Sequence, residues 1–175
     1  MKCIIAGSRK GVPNRIFDEA ISKSGWGPKI TTVVHGGCSG VDAMADFWAS
    51  SNELDAQKFP ADWEKHGKSA GPRRNQEMAK HATHCIAIWD GHSGGTRDMI
   101  EKAVAAHLNT YVYNPETRAG AHVSYVHCPE YGKTTKSISQ AIKDAVKSNL
   151  SATLAGELMR RYVETSVLMD VFNVV

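Results

Sequence analysis

The sequence predicts an α/β fold with three layers, in which helices cover both faces of a mainly parallel sheet (α/β/α). A helical extension is predicted at the C-terminal end. Two observations support this. Short apolar runs rich in β-branched residues alternate with helix-like stretches of about ten residues. The connections between them are short and marked by glycine. Parallel strands covered on both faces read as continuous apolar runs, which is the pattern found here.

Each element has its own local signal. The first helix has Ile16, Phe17 and Ile21 on one face, follows Pro13 and ends near Gly25. In the second, Ser39 and Asp42 have the spacing of a capping box, and in the third Pro72 is expected at the first helical position. The predicted strands are 2–6, 30–35, 55–59, 84–89 and 110–113, and the predicted helices are 13–24, 39–51, 71–81 and 96–107.

The pattern changes after Pro115, which divides the chain into a domain at 1–115 and an extension at 116–175. Residues 116–134 are expected to form a loop or an added hairpin, followed by helices at 137–148 and 152–172. The last stretch carries Leu154, Leu158, Tyr162 and Met169 at helical spacing. It is apolar over more of its surface than one solvated helix needs, so we expect it to form a subunit interface in a homo-oligomer.

Composition restricts the function. The formal net charge of +3 is too small for a general nucleic-acid or membrane binder. No apolar run reaches the length of a membrane span, and the N-terminal apolar run is too short for a signal peptide. The four cysteines have no CxxC spacing, so we expect free thiols in a reducing cytoplasm and no metal site or cofactor.

Four glycine turns follow apolar runs and precede helix-like stretches, at 7–9, 35–42, 67–75 and 91–96. In a parallel sheet such turns gather at the carboxyl ends of the strands, where ligands bind in the crevice at which strand order reverses. Glycine lets the backbone approach a ligand, and free amides at a helix start favour anions. The turns therefore predict a phosphate or nucleotide pocket.

These turns also carry a family resemblance. In order, the chain has GSR at 7–9, HGGxxGxD at 35–42, FPADW at 59–63, GKxAGPxRN at 67–75 and WDGxSxGT at 89–96. This series resembles the YspA-like branch of the SLOG superfamily over residues 1 to about 114. The resemblance implies a Rossmann-like fold and a pocket for a nucleotide or nucleotide-derived ligand. LOG-type phosphoribohydrolases of this superfamily carry a catalytic glutamate where this chain has Met99.

Site roles follow from residue chemistry together with this resemblance. Arg9, Lys68 and Arg74 are expected to hold phosphate, and Trp63 is the candidate for stacking on a base. Asp42 and Asp90 are expected to hold ribose or water, and they are the candidate catalytic residues if the ligand is turned over. The predicted ligand-binding residues are Gly7, Ser8, Arg9, Gly36, Gly37, Gly40, Asp42, Asp62, Trp63, Lys68, Gly71, Arg74, Asn75, Asp90, Gly91, Ser93, Gly95 and Thr96.

The leading functional hypothesis is a sensor or sequestering protein for an ADP-ribose-like compound or a nucleoside phosphate. A hydrolase of the N-glycosidic or a related bond in such a ligand is the first alternative. A binder of single-stranded nucleic acid is the second, through the basic stretch from Lys65 to His81. Steep weakening by salt would distinguish this last function, because contacts with a phosphate backbone release counterions.

Overall fold

A computed structural model describes residues 1–123 as one six-stranded sheet in the order β3-β2-β1-β4-β5-β6. Helices follow the strands and cover both faces, so the predicted Rossmann-like α/β fold is confirmed. The strands are β1 (Lys2–Gly7), β2 (Thr32–His35), β3 (Asp55–Lys58), β4 (His84–Ile88), β5 (Asn109–Asn114) and β6 (Ala119–Val123). The helices are α1 (Asn14–Lys23), α2 (Val41–Ser51), α3 (Trp63–His66), α4 (Ala70–His81) and α5 (Gly94–Ala105), with short 3-10 turns at Gly27–Lys29 and Gly67–Ser69.

Strand β1 lies inside the sheet, between β2 and β4, and fixes the position of the edge at which the ligand pocket is predicted. Cys3 of β1 pairs in parallel with Val33 of β2 on one side and with His84 of β4 on the other. The chain moves outward through β2 and β3, then returns to the other side of β1 for β4 and β5. Strand order therefore reverses between β1 and β4, and their carboxyl ends open a crevice between the turns that follow them.

Two apolar layers hold the helices against the sheet. Helices α1 and α2 cover one face through side chains such as Phe17, Val41 and Ala45. Helices α4 and α5 cover the other face, where Met78 and Ile100 pack over β1 and β4. Both faces of the central strands are thereby buried, which explains their continuous apolar sequence.

Two predicted helix starts are wrong in detail. Ser39 does not cap α2: its hydroxyl donates to the carbonyl of Arg9 at 3.1 Å, and Asp42 accepts from the backbone amide of Cys38 at 3.1 Å instead. The capping position is taken by Gly40, whose φ of 75° no capping serine readily adopts. Pro72 lies at the third position of α4, still within the turn whose amides have no helical partner.

Strand β6 pairs antiparallel with β5 and extends the sheet beyond Pro115. The division of the chain at residue 115 stays a prediction, as does the functional role of the extension. The helices expected at 137–148 and 152–172 lie outside the described residues. Within residues 1–123, no helix has both the length and the apolar character needed to cross a membrane.

Candidate functional site

A cleft of about 630 Å³ opens at the carboxyl ends of β1 and β4, beside the first turns of α4 and α5. Its size is that of a small-molecule site. The cleft brings together thirteen of the predicted ligand-binding residues: Gly7, Ser8, Arg9, Gly36, Asp42, Trp63, Gly71, Arg74, Asn75, Asp90, Ser93, Gly95 and Thr96. The remaining lining residues are Ala6, Lys10, Cys38, Pro72, Met78, His92, Gly94, Asp98 and Met99.

Five predicted ligand-binding residues lie outside this lining. Asp62 instead caps α3, accepting from the backbone amide of Lys65 at 3.0 Å. Lys68 is exposed in the 3-10 turn before α4. Gly37, Gly40 and Gly91 all have positive φ and shape the turns behind the cleft. For these five residues the structure gives a local structural role or none, and contact with a ligand stays a prediction.

The guanidinium of Arg74 lies largely inside the protein, with 12% of its side chain exposed. Its Nε donates to Oδ1 of Asn75 at 2.9 Å, and Nη1 donates to the carbonyl of Phe59 at 3.4 Å. Nη1 also lies 3.9 Å from Oδ2 of Asp42. Because a guanidinium carries more N–H donors than these contacts use, it can still donate toward the cleft while its orientation is fixed.

The guanidinium of Arg74 packs directly against Gly36. A Cβ at residue 36 would lie 1.4 Å from Nη1 of Arg74, so glycine leaves room for the guanidinium in its present position and a larger residue would displace it. A Cβ at Gly37 would likewise meet the Lys58 side chain at 2.3 Å. The glycine pair after β2, which the sequence suggested for close approach of a ligand, thus accommodates two basic side chains of the protein itself.

Asp42 is a buried carboxylate on the first turn of α2. Burial raises the pKa of Asp42 above its ordinary value, although the Cys38 amide and the charge of Arg74 both act to lower it. An acid whose neutral form is favoured in this way can exchange a proton more readily near neutral pH than a solvated aspartate. Asp42 therefore combines a place in the cleft wall with the electrostatics of a candidate acid/base group.

A polar network crosses the floor of the cleft through Asn75, which is 5% exposed. Its amide nitrogen donates to Oδ2 of Asp98 at 2.7 Å and to the carbonyl of Gly95 at 3.3 Å. The other carboxylate oxygen of Asp98 is bound by Lys102. Since the Asn75 oxygen accepts from Arg74, one buried amide fixes a cation from α4 and an anion from α5 at the same time.

The turn after β4 is held by Asp90, which also lines the cleft. One oxygen of Asp90, Oδ1, accepts from the backbone amides of His92 at 2.9 Å and Ser93 at 3.3 Å. Its Oδ2 has no hydrogen-bond partner within residues 1–123. Ser93 in turn caps α5 by accepting from the amide of Thr96 at 3.4 Å. Asp90 thus shapes the turn and keeps one oxygen for a further contact.

Two glycines at the start of α5 have no structural explanation in the described residues. Gly94 and Gly95 do not have positive φ, and a Cβ on either would meet nothing within 4 Å. Both line the cleft at the helix N-terminus, where free amides favour an anion. Space left open at this point is space available to a ligand.

The rim of the cleft carries an aromatic ring and two cations. Trp63 is 48% exposed, and the guanidinium carbon of Arg9 lies 5.6 Å from the centroid of its ring. Lys10, which the sequence reasoning did not select, lines the same rim. Its position directly after the GSR turn was the available signal, because a basic residue following two predicted phosphate contacts shares their edge of the sheet. Asp98 and Met99 also line the cleft, although neither was among the predicted ligand-binding residues, and Met99 is buried in its wall.

The fold and this cleft define a class: a Rossmann-like domain with a glycine-lined cleft at the point where strand order reverses. The family model described as "YspA, cpYpsA-related SLOG family" matches residues 1–66. The chain is also similar to the Gene 61 protein of Mycobacterium phage D29, at 36% identity over 112 residues that cover 60% of this chain and 90% of that protein. No solved structure matches the chain.

The chain therefore belongs to the YspA, cpYpsA-related SLOG family, and the resemblance seen in its motifs is confirmed. Membership in this family indicates binding or processing of a nucleotide-related ligand.

Proposed function

We propose that the protein binds a nucleotide-derived metabolite, either ADP-ribose-like or a nucleoside phosphate, in the cleft at the ends of β1 and β4, and acts as a sensor or sequestering protein. The observation that carries the proposal is the imbalance of unpaired charge around the cleft. Arg9 and Lys10 at the rim have no carboxylate partner among residues 1–123, whereas each carboxylate of the lining already accepts hydrogen bonds from the protein.

Arg9 and Lys10 have no carboxylate within ion-pairing distance among residues 1–123, and both line the cleft. The three acidic lining residues are each engaged: Asp42 by the Cys38 amide, Asp90 by two turn amides and Asp98 by Lys102 and Asn75. The guanidinium and ammonium groups of Arg9 and Lys10 are therefore available to a ligand, whereas the carboxylates already accept hydrogen bonds from the protein. An anionic group such as phosphate fits this arrangement.

The start of α5 supports the same assignment. Gly94 and Gly95, the first two residues of the helix, line the cleft beside open volume, and Ser93 and Thr96 contribute hydroxyls to the same wall. Amides without a helical partner at a helix start favour an anion. Trp63 lies across the rim and offers a ring face for a base, with Arg9 beside it as a second stacking partner. A phosphate at the helix start and a base at the rim together describe a nucleotide.

Calorimetric titration of the full chain with adenosine monophosphate and with ADP-ribose tests the proposal. Replacing both Arg9 and Lys10 with alanine is expected to weaken binding at least about tenfold, since hydrogen bonds to charged groups contribute about 1.5–3 kcal/mol each. The matched control is the double replacement of Arg73 and Lys80 by alanine. These exposed residues of α4 carry the same total charge and do not line the cleft.

The control variant is expected to bind as tightly as the wild type. Equal losses in the two variants would mean that general electrostatics, and not this cleft, attracts the ligand. Binding by neither the wild type nor the variants at millimolar ligand would overturn the assignment for both compounds.

Hydrolysis is the second candidate function, favoured by the buried, raised-pKa carboxylate of Asp42 in the cleft wall. The buried Met99 at the LOG glutamate position argues against the LOG reaction itself. Chromatography after prolonged incubation with adenosine monophosphate or ADP-ribose separates the two functions. Free adenine or ribose phosphate that disappears in Asp42→Asn or Asp90→Asn would establish turnover, whereas unchanged ligand supports the binder.

Binding of single-stranded nucleic acid is tested by the same titrations, performed with that ligand at two salt concentrations. Backbone binding would weaken steeply with salt and would be lost in the control variant as well, because its contacts spread beyond the cleft. A nucleotide held in the cleft is expected to respond to salt much less.

A further inference from the structure

His35, the last residue of β2, is a buried imidazole that contacts the β2–α2 turn (residues 36–38). Nδ1 of the ring accepts from the backbone amide of Gly37 at 3.3 Å. Because a backbone amide only donates, the proton of the neutral ring is on Nε2. Nε2 has no hydrogen-bond partner among residues 1–123 and lies 3.5 Å from Oδ1 of Asp46. The ring is thus bonded to the turn on one side and faces an exposed carboxylate on the other.

The β2–α2 turn depends on two titratable side chains for its backbone hydrogen bonds. Gly37 donates to His35, and Cys38 donates to Oδ2 of Asp42 at 3.1 Å. The amide of Gly36 also bonds to Asp42 and acts to lower the pKa of that carboxyl. Three consecutive amides therefore have acceptors that protonation weakens or removes.

Movement of the β2–α2 turn would change the cleft. Gly36 packs against the guanidinium of Arg74, so closely that a Cβ would lie 1.4 Å from Nη1. Cys38 lines the cleft, as does the Asp42 carboxylate that its amide holds. A displaced turn would therefore leave a buried cation and a buried anion of the cleft wall without their present support.

We propose that His35 and the β2–α2 turn form a pH-dependent switch for the ligand cleft: protonation of the imidazole releases the turn and weakens ligand binding. The imidazolium carries a second proton on Nδ1, which then faces the N–H of Gly37 as donor against donor. At the same time Asp46 becomes a charged partner for Nε2, which favours movement of the ring away from the turn. The inference rests on the proposed function, because it concerns the affinity of that site.

The charged groups around His35 set the pH at which the switch acts. Asp42 and Asp46 of α2 favour the imidazolium, whereas burial and the charge of Lys58 on β3 oppose it. On the cleft side, Arg74 of α4 lies 3.9 Å from Asp42. Burial has the largest effect, so the pKa of His35 lies below 6.5. The turn is therefore fully held above pH 6.5, and its hydrogen bond to the ring is lost as the pH falls through the lowered pKa.

The direction of the effect separates this switch from simple electrostatics. Protonation of any titratable group near the cleft adds positive charge, which by itself strengthens the binding of an anion. His92 and Asp42, which line the cleft, would act in this way. An affinity for an anionic ligand that decreases on acidification therefore requires a conformational response.

NMR titration of the ligand-free full chain, from about pH 8 to about pH 5, tests the switch itself. We expect the amide signals of Gly36, Gly37 and Cys38 to shift with the midpoint of the His35 ring, while amides elsewhere in the domain stay in place. His35→Asn keeps an acceptor oxygen near the position of Nδ1 and removes the titration, so the turn should no longer respond. A turn that does not follow the ring, or a response shared by the whole domain, would overturn the proposal.

Asp46→Asn provides a second variant at an exposed position. Because Asp46 favours the imidazolium, its replacement should move the midpoints of the ring and of the turn together to lower pH. Midpoints that separate in this variant would show that another group controls the turn, and would also overturn the proposal.

Calorimetric titration with ADP-ribose at about pH 8 and about pH 5 tests the link to the cleft. The two phosphates of ADP-ribose stay ionised throughout this range, whereas a monophosphate has a second pKa of about 6. We expect the affinity to fall about tenfold at the lower pH, within the usual range of coupling between two sites. The decrease should persist in His92→Asn, a control that removes an exposed histidine of the cleft, and disappear in His35→Asn.

An affinity that is equal or higher at the lower pH, or a decrease that persists in His35→Asn, would overturn the switch. Because coupling is reciprocal, saturating ADP-ribose should also lower the pKa of His35 further. Failure of ADP-ribose to bind even at the higher pH would contradict the proposed function and, with it, the effect of the switch on the ligand. The ligand-free titration distinguishes that failure from a turn that does not respond to protonation.

Discussion

Gly36→Ala is the sharpest test of the internal placement of Arg74. The new Cβ would lie 1.4 Å from Nη1 and 2.1 Å from Cζ of that guanidinium. Atoms in contact need roughly 3.5 Å, so the guanidinium has to move by about 2 Å. Gly36 is not a residue with positive φ, so the backbone itself accepts alanine.

The movement breaks contacts whose contributions can be approximated. Arg74 would lose its 2.9 Å hydrogen bond to Asn75 and its contact with the carbonyl of Phe59. A hydrogen bond to a charged group contributes about 1.5–3 kcal/mol, so Gly36→Ala should lower the free energy of unfolding by about 2–3 kcal/mol. In an Arg74→Ala background the obstruction is gone. There the same change should be neutral or stabilising by up to about 1 kcal/mol, through lower entropy of the unfolded chain.

Urea unfolding of the wild type, the two single variants and the double variant measures this coupling. A cost of Gly36→Ala that persists unchanged in the Arg74→Ala background would refute the argument, because the obstruction would then lie elsewhere. A Gly36→Ala protein as stable as the wild type would show that the guanidinium moves freely and that its partners hold it weakly.

Three further predictions follow from the buried network, the histidine and the exposed ion pair. Asn75→Ala should lower the free energy of unfolding by about 2–3 kcal/mol in urea melts, because it leaves Arg74 and Asp98 without their shared partner. Burial lowers the pKa of His35 below 6.5, so the folded state favours the neutral imidazole. The contribution of His35 to the free energy of unfolding is therefore fully present above pH 6.5 and is lost as the pH falls through the lowered pKa. His35→Gln should flatten that loss in pH-dependent urea melts. Arg118 and Lys23 bind Glu19 and lower its pKa to about 2, so Arg118→Ala should raise that pKa toward 4.5 in a carboxyl NMR titration.

The sequence was sufficient for the elements whose signal is local. Strands β1, β2 and β4 are buried on both faces, so their apolar runs have few other interpretations, and α1 carries its buried face at regular spacing. Convergence of the turns at one edge then follows from parallel topology alone. Helix α3 was missed because the polar stretch around it has no periodicity and is ordered by the Asp62 cap.

The site was predictable in position but not in its internal contacts. Nothing in the sequence places Arg74 beside Gly36, Phe59 and Asp42, since these contacts join residues from three separate segments. The proposed capping box failed for a similar reason: Gly40 packs with its Cα against the carbonyl of Ser8, where a Cβ would lie 2.3 Å from that oxygen. The conformation of the turn before α2 is determined by long-range packing, which a local sequence pattern does not contain.

The central claim is that a nucleotide-derived ligand occupies the cleft at the ends of β1 and β4. Amide chemical-shift mapping of the labelled full chain, titrated with ADP-ribose and with adenosine monophosphate to millimolar concentration, tests it most directly. The account predicts saturable shifts centred on Ser8, Arg9, Gly94, Gly95 and Thr96, with the Trp63 indole signal moving in step. Shifts confined to another surface, or no shifts with either compound, would contradict it.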